Sequence, residues 1–171
     1  TLFNGRDLSG WTSFGGTNNW KVVGAVLTNT KPGANLKTDA TYTDFTLHIE
    51  FRYPKNGNSG VYLRGVYEIQ IMESFGKPLD PHNMGALYSR ITPSVAAEKP
   101  AGEWQTLDLT LVDRHVTVVL NGKTIIDNQP AAGCTGGGCS ASCLATSDWM
   151  ACIRPCTSDH GRAARVLTMA W

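Results

Sequence analysis

Cysteine is absent from the first 133 of the 171 residues, and all five cysteines (Cys134, Cys139, Cys143, Cys152 and Cys156) crowd into the stretch that follows. No disulfide framework can therefore organise the body of the chain, and an odd count cannot pair fully within it. An excess of one charge is also missing. Lys plus Arg is 15 and Asp plus Glu is 14, a net charge of +1, which leaves no basic stripe for a nucleic-acid groove or an anionic membrane surface. No apolar run approaches the roughly 20 residues that a membrane-spanning helix needs. The opening Thr1-Leu2-Phe3-Asn4-Gly5 has no basic-then-apolar leader, so an export signal has been removed or never existed. No segment carries a sustained 3.6-residue apolar stripe with caps, which argues against helices. What is present is 42% hydrophobic and 17% charged residues, enough to fill the core of one ordered domain.

The patterned segments up to residue 127 have period two. Trp20 to Asn29 reads as two short strands around Gly24-Ala25. Phe45, Leu47, Ile49, Phe51 and Tyr53 alternate with Thr46, His48, Glu50 and Arg52, so the odd positions are expected to face a core. Gly60 to Arg64 and Tyr67 to Met72 follow, joined by a short turn. Leu107, Leu109 and Leu111 alternate with polar neighbours, and Val116 to Leu120 runs into Asn121-Gly122 and a further strand from Thr124 to Asp127. Asn-Gly is a strong hairpin signal. Many short strands with Gly, Asn and Pro punctuation predict an all-β chain, an antiparallel β-sandwich or jelly roll.

Two stretches break the pattern. Gly76 to Ala97 holds Pro78, Pro81, Pro93, His82 and Tyr88 and is expected to form long loops around one short strand, the kind of loop that is often functional. From residue 134 to 171 the chain reads as an irregular Cys-rich tail beyond a β-sandwich domain of residues 1–133, with only Val166 to Met169 patterned like a strand. Cys139-x-x-x-Cys143 and Cys152-x-x-x-Cys156 have gaps compatible with a four-thiolate zinc site. Disulfides of an exported protein, or an irregular tail without metal, account for the same residues.

The densest polar cluster is Asn58-Ser59-Gly60-Val61-Tyr62-Leu63-Arg64 followed by Tyr67-Glu68-Ile69-Gln70-Ile71-Met72-Glu73. If Ile69 and Ile71 point to the core, strand alternation puts Glu68 and Gln70 on the opposite face. Tyr62 and Arg64 could join them across the turn. A carboxylate, an amide, a phenol and a guanidinium in one patch suit sugar hydroxyls, with aromatic rings stacking on C–H faces. Glu73 has the wrong parity for that face unless a β-bulge follows Met72. With such a bulge, Glu68 and Glu73 would suit retaining glycoside hydrolysis, which needs two carboxylates about 5 Å apart. Without it, Glu68 and Arg64 form a cross-strand ion pair and Glu73 is a solvated strand end. His48 and His115 read as surface residues, and His82 is a candidate for reaching a pocket from its Pro-rich loop. No His-based metal motif, Gly-x-Ser-x-Gly elbow or phosphate-binding Gly loop is present.

The opening Leu2-Phe3-Asn4-Gly5-Arg6-Asp7-Leu8-Ser9-Gly10-Trp11 resembles the start of the 3-keto-disaccharide hydrolase domain family. The resemblance continues through Glu50-Phe51-Arg52, Asn58 to Gly65, Tyr67-Glu68-Ile69-Gln70-Ile71, Gly85-Ala86-Leu87-Tyr88, Lys99 to Trp104 and Leu120-Asn121-Gly122. It implies a concanavalin-like sandwich with a concave carbohydrate face, in extracellular or periplasmic bacterial proteins. It also implies activity on sugars whose C3 hydroxyl has been oxidised to a ketone. Such a ketone acidifies the C2 proton, so that a base can remove it, the aglycone at C1 can leave and water can add back. On this reading Glu68 is the candidate base, Arg64 the oxyanion stabiliser and Glu73 the acid. Asn58, Ser59, Tyr62, Gln70, Tyr88, Trp104 and His160 are the candidate substrate-binding residues.

The chain departs from the family pattern after Thr135-Gly136-Gly137, where a Cys-rich stretch replaces an alternating strand and Asp159-His160-Gly161 stands in place of a Gly-Asp-His-Gly segment. A non-catalytic lectin-like module and a two-carboxylate glycosidase are the alternative functions. An oligosaccharide or glycoside is the expected partner. No cofactor is implied, although a carboxylate-plus-amide patch could hold Ca²⁺ or another divalent metal.

Overall fold

The structure, a computed structural model, describes residues 1–29 and 31–132 together with the backbone of 151–153. Alternating apolar residues build two facing antiparallel sheets. One has five strands, β1 (Trp11–Phe14), β4 (Asn35–Thr38), β11 (Ala151–Ile153), β6 (Asn58–Leu63) and β7 (Tyr67–Met72), in that spatial order. The other has four, in the order β10 (Lys123–Pro130), β9 (His115–Leu120), β8 (Gln105–Val112) and β5 (Phe45–Phe51). A separate ribbon pairs β2 (Trp20–Val23) with β3 (Val26–Asn29). The expected all-β sandwich is present, and among the described residues no helix is long and apolar enough to cross a membrane.

The core is the meeting of the two inner faces. Phe45, Leu47, Ile49 and Phe51 of β5 pack with Leu107, Leu109 and Leu111 of β8 and with Val116, Val118 and Leu120 of β9. Val61 and Leu63 of β6, with Tyr67, Ile69 and Ile71 of β7, close the cluster from the five-stranded sheet. Burial of these side chains supplies most of the driving force, at about 1.5–3 kcal/mol for each large apolar residue. Phe3, Trp11, Trp20, Leu27 and Leu36 form a second cluster under the β2–β3 ribbon. The Asn121-Gly122 turn joins β9 to β10 in the left-handed conformation at both residues (φ 51° and 78°), which matches the twist of the strands.

Three strands were not legible in the sequence pattern. β1 and β4 have four residues each and bury only alternate or terminal positions. β11 lies inside the stretch expected to be irregular, yet it occupies the gap between β4 and β6, pairing Cys152 with Lys37 on one side and with Tyr62 on the other. The long segment from Gly76 to Ala97 forms only isolated bridges, from Leu87 to Ile69 and to Ile91. Val166 to Met169, the cysteine side chains and the suggested thiolate site lie outside the described residues.

Candidate active site

The β6–β7 hairpin carries the candidate residues in an unbroken register that pairs Tyr62 with Glu68, Gly60 with Gln70 and Asn58 with Met72. Val61, Leu63, Ile69 and Ile71 point into the core, so alternation turns Asn58, Gly60, Tyr62, Glu68 and Gln70 to the outer face. On that face Tyr62, Glu68 and Gln70 are nevertheless buried. Gln70 Nε2 donates to Asn58 Oδ1 at 3.4 Å.

The chain returns beside β7 after the long loop. Gly85 N donates to the Gln70 carbonyl at 2.8 Å, Gln70 N to that of Ala86 at 3.0 Å, and Tyr88 N to that of Glu68 at 2.9 Å. Leu87 faces Ile69 on the core side, which places Tyr88 beside Glu68 and Ala86 beside Gln70 on the outer side. Two rows therefore cross the hairpin. One reads Tyr62, Glu68, Tyr88; the other reads Gly60, Gln70, Ala86. The first makes Tyr62 and Tyr88 the register neighbours of Glu68, and the second sets Gln70 between two positions with almost no side chain. Gly85 starts this return with φ +77°, and a Cβ there would land on Ile125 Cδ1.

Glu68 does not stand upright between the tyrosines. Its side chain leans diagonally over Gly60, where a Cβ would fall on Oε1 and lie 3.0 Å from both Cγ and Cδ. The carboxylate thus enters the row that Gly60 shares with Gln70.

His82 packs against Tyr88. Its ring meets that of Tyr88 edge to face, with centroids 5.0 Å apart and planes at 78°. Its Nδ1 is 2.8 Å from Asp80 Oδ1, and the same oxygen accepts its backbone N–H at 2.8 Å. These two hydrogen bonds, the backbone one first, hold the Asp80 carboxyl below the usual carboxylate range.

Four expected members lie elsewhere. Arg64 follows β6 in a left-handed turn (φ 52°), and its Nη2 donates to the Asp113 carbonyl between β8 and β9. The guanidinium therefore ties the two sheets together at the end of the sandwich and is not brought to Glu68. No bulge follows Met72, because the pairing of Asn58 with Met72 continues unshifted to Glu73, whose N–H donates to the Gly57 carbonyl at 3.0 Å. Glu73 keeps the opposite parity, and its Oε2 accepts the N–H of Asn56, a turn residue with φ 58°. Ser59 pairs with Ile71 and shares the core-side parity. Trp104 lies under Arg52, whose guanidinium carbon is 5.1 Å from the ring centroid. Arg52 alternates with the core residues of β5, which puts this stack on the outer face of the other sheet. His160 lies outside the described residues. Among the described residues no group of three His, Cys, Asp or Glu gathers to hold a metal ion.

Sequence reasoning did not foresee that residues 85–88 lie against β7 or that Asp80 orients His82. The Asp80-x-His82 spacing is the visible signal, since an Asx turn closes over two residues.

The profile of the 3-keto-alpha-glucoside-1,2-lyase-like domain family matches residues 1–140. Among solved structures, a candidate glycosyl hydrolase from Parabacteroides distasonis ATCC 8503 superposes with a TM-score of 0.74 at 27% identity, over 95% of this chain and 78% of that one. A second candidate glycosyl hydrolase from the same organism gives 0.71 at 19% identity, over 98% and 93%. Carbohydrate binding module CBM66 from Bacillus subtilis shares the fold, with a TM-score of 0.56 at 11% identity over 94% of each chain. No curated protein matches the chain.

Proposed function

We propose, because the chain belongs to the 3-keto-alpha-glucoside-1,2-lyase-like domain family, that it cleaves glycosides whose C3 hydroxyl has been oxidised to a ketone. A carbohydrate-active function is supported by the family and by the glycosyl hydrolase neighbour at 27% identity. The finer reading rests on chemistry. Glu68 removes the C2 proton, the electrons of that bond form the C1=C2 double bond, and the aglycone leaves C1. Water then adds across the double bond, so that the net reaction is hydrolysis.

The observation that carries this reading is the lean of the Glu68 carboxylate over Gly60 into the row of Gln70. An enolisation site needs a base at C2 and a donor at the neighbouring C3 oxygen. Gln70 Nε2 takes the donor role given to Arg64 on sequence grounds. Tyr62 and Tyr88 offer ring faces to the sugar and phenols to its hydroxyls, and Asn58 orients Gln70. A retaining glycosidase needs two carboxylates about 5 Å apart, and Glu73 is occupied with Asn56, so the elimination route fits these residues better.

The test is a cleavage assay on a 3-keto-glucoside beside its unoxidised parent. Cleavage of the ketone alone is expected. Cleavage of both would replace the reading with an ordinary glycosidase, and binding of either without turnover would replace it with a lectin-like module.

A further inference from the structure

Elimination at C1 expels an oxygen, and an alkoxide of ordinary basicity leaves slowly unless it is protonated as the bond breaks. Glu73 does not reach the outer face, so that proton needs another source. His82 packs against Tyr88 of the row Tyr62, Glu68, Tyr88, with ring centroids 5.0 Å apart. Asp80 holds Nδ1 at 2.8 Å, which fixes the ring and leaves Nε2 as the nitrogen that can exchange a proton with a ligand. About half of the His82 side chain (48%) is exposed, so a bound glycoside can reach it. The backbone of Tyr88 is in turn bonded to that of Glu68, Tyr88 N donating to the Glu68 carbonyl at 2.9 Å, so one residue links the imidazole to the strand position of the base.

We propose that His82, oriented by Asp80, is the catalytic acid that protonates the departing glycosidic oxygen. The inference rests on the ketone-dependent reading above. In the first half-reaction the C2–H bond breaks and its proton goes to the Glu68 carboxylate. Its electron pair forms the C1=C2 bond, the C1–O bond breaks, and the Nε2 proton of imidazolium His82 passes to the leaving oxygen, giving a neutral alcohol. In the second, water gives hydroxide to C1 and a proton to His82, while the Glu68 carboxyl returns its proton to C2. Both groups regain their starting states, with no oxidant or reductant consumed.

Leaving-group dependence tests this, because an acid is needed only when the departing oxygen is basic. Turnover of methyl and 4-nitrophenyl 3-keto-glucosides is compared in the wild type, His82→Gln and Asp80→Asn. His82→Gln is expected to lower kcat on the methyl glycoside about 100-fold or more, and on the nitrophenyl glycoside by less than about tenfold. Asp80→Asn is expected to shift the same ratio in the same direction by a smaller amount. Equal losses on both substrates would make His82 a support for Tyr88 and overturn its acid role, and no loss on either would do the same. Failure of the wild type to cleave either substrate would instead overturn the ketone-dependent reading, and this inference with it.

Discussion

Glu68 and Gly60 sit diagonally across the β6–β7 hairpin, and the carboxylate of the first occupies the space that a side chain on the second would need. Gly60→Ala therefore forces Glu68 into another rotamer. Turnover of a 3-keto-glucoside is expected to fall about 100-fold or more, while overpacking costs about 1–3 kcal/mol of stability. Kinetics and thermal unfolding on one preparation separate the two effects, and unchanged kinetics would mean that the lean of Glu68 has no role in turnover.

Glu68→Gln keeps the shape of the side chain and removes the base. Turnover should drop by about 10²–10⁴-fold, while calorimetry still detects binding of the 3-keto-glucoside. Retained turnover would exclude Glu68 from proton abstraction.

Trp104 stacks with Arg52 on the outer face of the four-stranded sheet, away from the Glu68 row. Trp104→Ala is expected to leave KM for a 3-keto-glucoside within about twofold and to lower stability by about 0.5–2 kcal/mol through loss of the cation–π contact. A large rise in KM with stability unchanged would place the ring in a sugar site.

Tyr53 is buried, and its hydroxyl donates to the Glu98 carboxylate and to the Lys99 carbonyl. Burial first, then the hydrogen bond and negative charge of Glu98, push the phenol well above its ordinary value of 10.0. The folded state therefore favours neutral Tyr53. The stability this supplies is full below pH 10 and declines as pH rises further, because the unfolded chain ionises first. Thermal melts of the wild type should fall more steeply between pH 9.5 and about 11 than those of Tyr53→Phe. Parallel curves would exclude the linkage.

The sandwich was legible where one face is wholly apolar. β5 alternates over seven residues, and the parity of Ile69 and Ile71 already turned Glu68 and Gln70 outward. Parity says nothing about turns, and there the expectations failed. Arg64 has the residue count to share the face of Tyr62, but its left-handed backbone swings the side chain toward the other sheet. A bulge was needed to bring Glu73 inward, and the pull of the Asn56 N–H favours the straight register instead. The approach of Tyr88 to Glu68 is a tertiary pairing of a few residues, too short to leave a periodic trace. β11 escaped for the same reason, since its place is set by the gap it fills.

That gap has a consequence for how the molecule is made. The flank of β6 at Tyr62 is completed by β11, a strand synthesised long after the hairpin itself. Until the ribosome has delivered it, both β4 and β6 expose open edges, the surfaces most prone to wrong pairing with other chains. The large sequence separation between β6 and β11 makes the final docking of β11, rather than the formation of the β6–β7 hairpin, the expected slow step of folding.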